Sequence, residues 1–453
     1  MNLPGTRLFS ILWAFALVTT LNGDIPGHYS VAYCTGHFIT ASLGLAILCR
    51  PAARRLVTLS AASFLVVAWS QLPALPNHRV ILGLISFLIL ASSLASSKRD
   101  TSAWSALQHA LRALTLIVYA FAVLAKLNTT YTSSRSSCAY VFFDQALSIT
   151  GLPSGASSLL SVPSIAWWSI VSEVLIAFLL ICKRTRPAGI VLGLLFHLAL
   201  AANYLKYFAN FSCTMFVLLC SWLSDEQAEG ILHRYETFWR RIVPALGFAM
   251  FIVTACAWSG VIEMSAWIIV RHVLFSVFGI TVLTSVIAVA RVPNDRALTF
   301  SPRSLSIAQA VVLLVALANG AAPYLGIKTR SSFSMYSNLR IEPHVSNHFF
   351  MPPSPDILGV LQDTVQITSE STDPQRTTFP PETPLLVTYL ELCCRIAQKI
   401  EDKTPFEVSF IRGGAQRALR SGEPLPADCP PRWARKLLLF GPVGPGSENS
   451  CVW

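Results

Sequence analysis

The stretch AFAVLAKLNTTY, residues 120–131, closes an apolar run on one lysine, Lys126, and then turns polar. A lysine at the end of an apolar helix can snorkel to a membrane–water interface and serve as an anchor. Held in apolar surroundings, the same amine favours its neutral form, because desolvation penalises the ammonium. A neutral amine is a usable general base at pH 7. Few other polar groups sit in comparable places. Asn77 and His78 stand in QLPALPNHRVILG, after Pro73 and Pro76; Glu173 stands inside AWWSIVSEVLIAF with Trp167 and Trp168; His197 stands inside VLGLLFHLALAANYLKYF. An ionisable group within a membrane segment is costly and reads first as functional. The plainer uses are an interhelical hydrogen bond for Glu173, packing with one polar partner for His197, and an exposed loop position for His78. A base at Lys126, an imidazole at His78 and a buried acid at Glu173 could converge on one lipid-accessible cavity. Asn77, His197, Trp167 and Trp168 would complete it. Such a pocket suits proton transfer to and from a lipid-soluble substrate such as a quinone.

These residues need a membrane scaffold, and the composition supplies one. The 453-residue chain is 53% hydrophobic and 13% charged, with a mean hydropathy of +0.55. Soluble domains carry about 25% charged residues. Uncharged blocks of about 20 residues match the thickness of a bilayer, and helices satisfy their own backbone groups there. The sequence predicts an all-α polytopic bundle of about eleven transmembrane helices over residues 1–323. The spans lie near 7–23, 30–49, 56–71, 79–97, 107–126, 164–182, 187–204, 207–223, 242–259, 265–290 and 305–322. Arg7 followed by LFSILWAFALVTTL also fits a signal peptide.

Orientation follows from the loop cations. One set of alternate loops holds Arg7, Arg50, Arg54, Arg55, Lys98, Arg99, Arg112, Lys183, Arg184, Arg186, Arg234, Arg240, Arg241, Arg291, Arg296 and Arg303. The other set holds only Arg79, Lys126, Arg135, Lys206 and Arg271. The first set is expected in the cytoplasm with the N-terminus, leaving the C-terminal tail outside a cell (inner) membrane. Lys126 then lies on the side where lysine is disfavoured. The net charge of +11 becomes a topology signal, and nothing calls for nucleic acid. Membrane lipid is the expected partner.

Residues 324–453 differ in composition and predict a small α+β extramembrane domain. SFSMYSNLRIE, DTVQITSES and FEVSFIRGG read as strands. PLLVTYLELCCRIAQKI reads as an amphipathic helix after Pro384, and MPPSPD and FPPETP read as loops. The eleven cysteines form no metal pattern, and no metal is expected. Cys34, Cys49, Cys182, Cys213, Cys220 and Cys256 fall in or beside spans. Cys138, Cys393, Cys394, Cys429 and Cys451 fall outside, where disulfides form. Cys429 with Cys451 is one closure of the last segment, although spacing alone does not fix connectivity. Asn128 in NTT and Asn210 in NFS fit glycosylation sequons.

Four stretches, LPNHRVILGLISFLILASS, YAFAVLAKLN, WWSIVSEVLIAFLLICKRTRPAGIVLGLLFHLAL and ANFSCTMFVLLCSWL, resemble successive motifs of the HTTM superfamily. That is the membrane domain shared with vitamin K-dependent γ-carboxylases. YLGIKTRSSFSMYSNLRIEPHVSNHFFMP and WARKLLLFGPVGPGSENSCVW resemble the tails of bacterial members. The resemblance implies that Lys126 is the base that deprotonates a reduced, vitamin K-type quinone, and that His78 sits near the reacting quinol. It implies coupling of quinol oxygenation to carboxylation of a glutamate in a periplasmic or extracellular peptide or protein. The family enzyme has two lysines where this chain has AKL, and a longer lumenal region for its peptide substrates. Alternatives therefore stay open: a membrane quinone oxidoreductase without carboxylation, or a non-enzymatic carrier or scaffold.

Overall fold

The computed structural model describes residues 3–21, 31–73, 75–95, 100–149, 160–203, 208–290, 305–371, 385–401, 403–444 and 451. The chain is mostly helical. Helices α1 (Pro4–Thr19), α2 (Val31–Cys49), α3 (Arg54–Gln71), α4 (Asn77–Ala95) and α5 (Asp100–Lys126) come first. Two short helices follow, α6 (Thr129–Ser133) and α7 (Cys138–Ile149). Then come α8 (Val162–Ile181), α9 (Arg186–Ala201), α10 (Ala209–Cys220), α11 (Asp225–Arg234), α12 (Val243–Trp258), α13 (Met264–Val289) and α14 (Ile307–Ala321).

Six stretches among the described residues are long and apolar enough to cross a membrane: Asn77–Leu94, Ala103–Lys126, Val162–Ile181, Phe238–Trp258, Met264–Val289 and Ile307–Leu325. Helices α1, α9 and α10 and the segment Cys34–Cys49 are apolar but shorter. Helix α3 opens on Arg54 and Arg55, which lowers its apolarity.

Helix α1 lies at the centre of the bundle. Trp13 to Val18 have no exposed surface, so this segment packs as part of the structural core. Close approach depends on small residues. A Cβ on Gly44 of α2 would stand 2.9 Å from the carbonyl oxygen of Ala14.

The two ends of the bundle are built from different cations. At one end Arg112 donates to the carbonyls of Ser221 and Leu223, and Arg186 to that of Leu180. Both guanidiniums flank Trp222, at 5.6 and 5.3 Å. At the other end Arg79 donates to the carbonyl of Thr20 and Arg271 to that of Thr19. Two cations there complement the negative end of the α1 dipole. All four arginines are buried, so they are helix-capping groups and not the loop charges expected from sequence. Lys98, Arg99, Lys206, Arg291, Arg296, Arg303 and the FPPETP loop with Pro384 lie outside the described residues.

The tail docks on the Arg79 end. Ser331 Oγ donates to the carbonyl of Leu75, and Lys436 Nζ to that of Leu72. SFSMYSNLRIE is not the strand expected. Phe333, Tyr336 and Asn338 have φ near +60°, and only Ile341–Glu342 (β1) pairs, with Val345–Ser346 (β2). The apolar alternation has another cause: Phe333 and Met335 are buried in the core of the helix bundle.

Beyond it, β3 (Thr364–Ser371), β4 (Leu385–Thr388), β5 (Glu407–Arg412) and β6 (Ala415–Arg420) form an antiparallel sheet ordered β4-β3-β5-β6. Helix α15 (Tyr389–Glu401) packs Tyr389, Leu392, Cys393 and Ile396 onto Val365, Ile367, Val408 and Phe410. The helix expected after Pro384 therefore starts later. Val387 is paired with Val365 in the sheet, and the Thr388 hydroxyl accepts from the Glu391 amide to start the helix. Edge strand β6 went unread because it has no buried face; Gly413 and Gly414, with φ of +56° and +79°, make the turn that pairs it with β5.

Cys393 is bonded to Cys429 and Cys138 to Cys451. The Cys429–Cys451 closure is thus corrected: α15 brings Cys393 to Cys429, and the chain end returns to α7.

Candidate functional site

Lys126 is the last residue of α5. Its Nζ lies 2.6 and 2.7 Å from the two carboxylate oxygens of Glu173 in α8. Each residue is only 6% exposed. The lysine is therefore neither a snorkelling anchor nor an isolated amine; a carboxylate within the bundle meets it. Ion pairs taken out of water persist only when their charges are well matched in geometry.

The helical repeat brings more groups to this place. Tyr119 is seven residues before Lys126, on the same face of α5. Its hydroxyl lies 3.0 Å from Nε2 of His197. His197 is buried between Phe196 and Phe211, whose rings meet its ring edge-on at 5.3 and 5.1 Å. The His197 carbonyl accepts from Ser212 Oγ. Ser169, four residues before Glu173 and on the same face of α8, accepts from the Tyr131 hydroxyl at 3.0 Å. Tyr119, Tyr131 and Ser169 were missed in the sequence. The signal was available for Tyr119 and Ser169, in their helical register with Lys126 and Glu173.

The loop after Lys126 is fixed by the tail. Asn128 is fully buried and caps α6; its side chain accepts from the Tyr131 amide and donates to the carbonyls of Ala125 and Ser337. Asn210 is buried and accepts from Arg271. Both sequon asparagines are thus structural in the folded chain. His348 Nε2 donates to the Leu124 carbonyl, while its Nδ1 accepts from the amides of Phe350 and Met351. That pattern requires the neutral ring, and burial lowers the pKa of His348 below its ordinary value.

Other expected site residues go elsewhere. Trp167 and Trp168 are 43% and 72% exposed. They lie roughly 120–140° around α8 from Glu173 by the helical repeat, so they point out of the bundle and do not line a pocket with it. The Asn77 side-chain Oδ1 accepts from the Phe333 amide and serves to dock the tail. His78 lies in the field of Arg79 and Arg271, and no hydrogen bond joins it to Lys126. His197 lies within electrostatic reach of Lys126.

The structure also holds a cleft, at the opposite end of the bundle, between α1, α3, α4 and α5. Among the described residues no three His, Cys, Asp or Glu side chains gather as metal ligands. Comparison with family models, with curated proteins and with solved structures found no match for this chain.

Proposed function

We propose that the chain is an integral-membrane enzyme of the γ-carboxylase kind, acting on a reduced quinone at the outer leaflet of a cell (inner) membrane. In this reading all eleven apolar helices cross, the N-terminus is cytoplasmic and the tail lies outside. One observation carries the chemistry: the buried Lys126–Glu173 pair. A proton passed from Lys126 Nζ to a Glu173 oxygen, across their direct contact, leaves a neutral amine beside a neutral acid. The amine then takes a proton from a substrate hydroxyl, and the regained ammonium faces the charge left behind. Glu173 is the store that lets Lys126 act as a base.

Fit to a quinone rests on the groups around the pair. His197 Nδ1 is buried and has no hydrogen-bond partner among the described residues, so it is free to meet a ring oxygen. Phe196 and Phe211 provide aromatic walls. Helix α8 exposes Trp168, Phe178 and Ile181, a face suited to lipid, so the pair is one helix away from the bilayer. When bound, the reduced quinone supplies the oxygen-dependent oxidation that the family resemblance attributes to it. Coupling to carboxylation rests on that resemblance alone.

A second reading has its own support. Both oxygens of Glu173 are taken by one ammonium, as they would be in a purely structural lock between α5 and α8 of a carrier or scaffold. The deciding assay is turnover of reduced quinone by the purified chain in nanodiscs, with carbon dioxide incorporation into peptide followed in parallel. Consumption with incorporation supports the carboxylase reading. Consumption alone replaces it with a quinone oxidoreductase, and no consumption leaves the structural lock.

A further inference from the structure

We propose that Lys328, Arg330, Arg435 and Lys436 bind the phosphate of an acidic glycerophospholipid in the leaflet on the tail's side. This binding requires only that the bundle spans a membrane, and quinol turnover plays no part in its test.

Backbone contacts bring the four cations to one patch. Lys328 stands just after the membrane stretch Ile307–Leu325. The amides of Thr329 and Arg330 both donate to the Leu439 carbonyl, directly after the short helix Arg432–Leu437 that carries Arg435 and Lys436. Cys394 Sγ donates to the Arg435 carbonyl, which sets that helix against α15. Arg395 of α15 lies within electrostatic reach of Arg330.

Their partners leave these groups charged. Lys328 Nζ donates to the carbonyl of Ser331, Lys436 Nζ to that of Leu72 and Arg435 Nε to that of Pro430. Each is a neutral acceptor that occupies one of several N–H groups. The Arg330 guanidinium makes no side-chain hydrogen bond among the described residues, and its Nε is buried. The neighbouring carboxylate of Glu391 is held by Arg395 at 2.8 Å and makes no hydrogen bond to Arg330. Burial pushes the Lys328 amine down to about 8. It also lowers the Arg330 guanidinium, against the pull of Glu391 and together with the repulsion of Arg395. An anion at this patch offsets the cost of holding cations away from water.

Depth identifies the anion. Leu72 caps the end of α3, so the Lys436 ammonium stands at the level of the helix ends, where lipid phosphates lie. On the same short helix Trp433 and Leu437 are 60% and 50% exposed. Tryptophan is enriched at that depth, and Leu437 offers an apolar contact for an acyl chain. Guanidinium and ammonium groups bind phosphate through charge-assisted hydrogen bonds. With four cations to meet, a lipid of net negative charge is favoured over a zwitterion, whose own cation would be repelled.

The test uses the full chain in detergent and native mass spectrometry, with phosphatidylglycerol and phosphatidylcholine of identical acyl chains. Phosphatidylglycerol should remain bound at energies that strip phosphatidylcholine. Arg330→Gln removes a charge without removing a hydrogen bond; Arg435→Gln covers the case in which the first variant fails to fold. Each should weaken phosphatidylglycerol retention about tenfold, the value of one charge-assisted hydrogen bond, and leave phosphatidylcholine unchanged. Equal retention of the two lipids, or wild-type retention by a folded Arg330→Gln or Arg435→Gln chain, overturns the proposal. So does thermal stabilisation by inorganic phosphate that equals that by the lipid, since the patch would then hold a free anion. Capture of a glutamate-rich peptide by the wild type, lost in Arg330→Gln, would overturn it in favour of an acidic polypeptide.

Discussion

Lys126 of α5 and Glu173 of α8, 47 positions apart in the chain, meet through both carboxylate oxygens at 2.6 and 2.7 Å inside the helix bundle. In the proposed function that contact serves twice, joining two helices and placing a proton store beside an amine. They separate under substitution. Glu173→Gln leaves a buried cation without its countercharge, which costs about 3–5 kcal/mol. Lys126→Met with Glu173→Leu removes both charges and should regain most of that loss. Thermal unfolding in detergent measures the difference. An unchanged midpoint in Glu173→Gln would mean that the contact does not hold α5 against α8.

Lys126→Arg asks the chemical question. Arginine can keep the carboxylate contact, so the protein should fold and insert. It retains its proton at any working pH and cannot serve as a base. Quinol turnover should fall about 10²–10⁴-fold, the usual contribution of a general base. Turnover at the wild-type level would reduce Lys126 to a fixed positive charge.

The charged pair was legible in the sequence because a lysine and a glutamate in apolar runs are conspicuous. Their convergence on one place was expected, but not their direct pairing, because 47 positions and two short helices separate them. His78 looked closer to Lys126 than His197 did, since only loop position could be read; the contact with Tyr119 depends on how α9 packs against α5. Trp167 and Trp168 were grouped with Glu173 by chain proximity, whereas the helical repeat turns them away. The apolar helices were plain from uncharged length. The segment 331–338 misled because burial of Phe333 and Met335 in the bundle imitates strand alternation, and the left-handed residues that allow it leave no local signature.

His348 predicts a pH-sensitive clasp between tail and bundle. Its folded pKa is depressed by burial below the ordinary 6.5, so the unfolded chain binds the proton more readily. The stabilisation is therefore complete above pH 6.5 and declines as pH falls below it. Protonation puts a hydrogen on Nδ1, which can then no longer accept from the amides of Phe350 and Met351. Hydrogen exchange at those two amides, corrected for intrinsic rates, should accelerate between pH 7 and mildly acid pH. His348→Gln, which cannot titrate, should flatten the dependence. A wild-type profile as flat as that of the variant would show that the ring does not close the clasp.

The Cys393–Cys429 bond joins α15 to the loop before α16 (Arg432–Leu437) and closes 36 positions of chain. Loop-closure entropy for that length corresponds to about 3–4 kcal/mol. Replacing both cysteines by alanine should lower the unfolding midpoint of the sheet while the helix bundle, followed by far-UV circular dichroism, remains folded. The same midpoint in the oxidised and double-alanine chains would contradict a stabilising role.

The last prediction concerns how the tail meets the bilayer. Three of its contacts are made to the ends of membrane helices: the Phe349 amide to the Leu127 carbonyl, the Ile357 amide to that of Leu325, and Lys436 to that of Leu72. Next to those ties, Phe350, Ile357, Trp433 and Leu437 are 50–74% exposed. Apolar side chains held at the level of helix ends belong in the interfacial layer, where aromatic residues are enriched. A photoreactive phenylalanine analogue at position 350, in nanodiscs, should therefore capture lipid, whereas the same group at the buried position 333 should capture only protein. Phe350→Asp should loosen the tail, seen as faster proteolysis between β2 and β3 with no change in bundle stability. Absence of lipid adducts at position 350, with proteolysis unchanged in Phe350→Asp, would place this rim in water and leave the tail held by its hydrogen bonds, the burial of Phe333 and Met335 in the bundle and the Cys138–Cys451 bond.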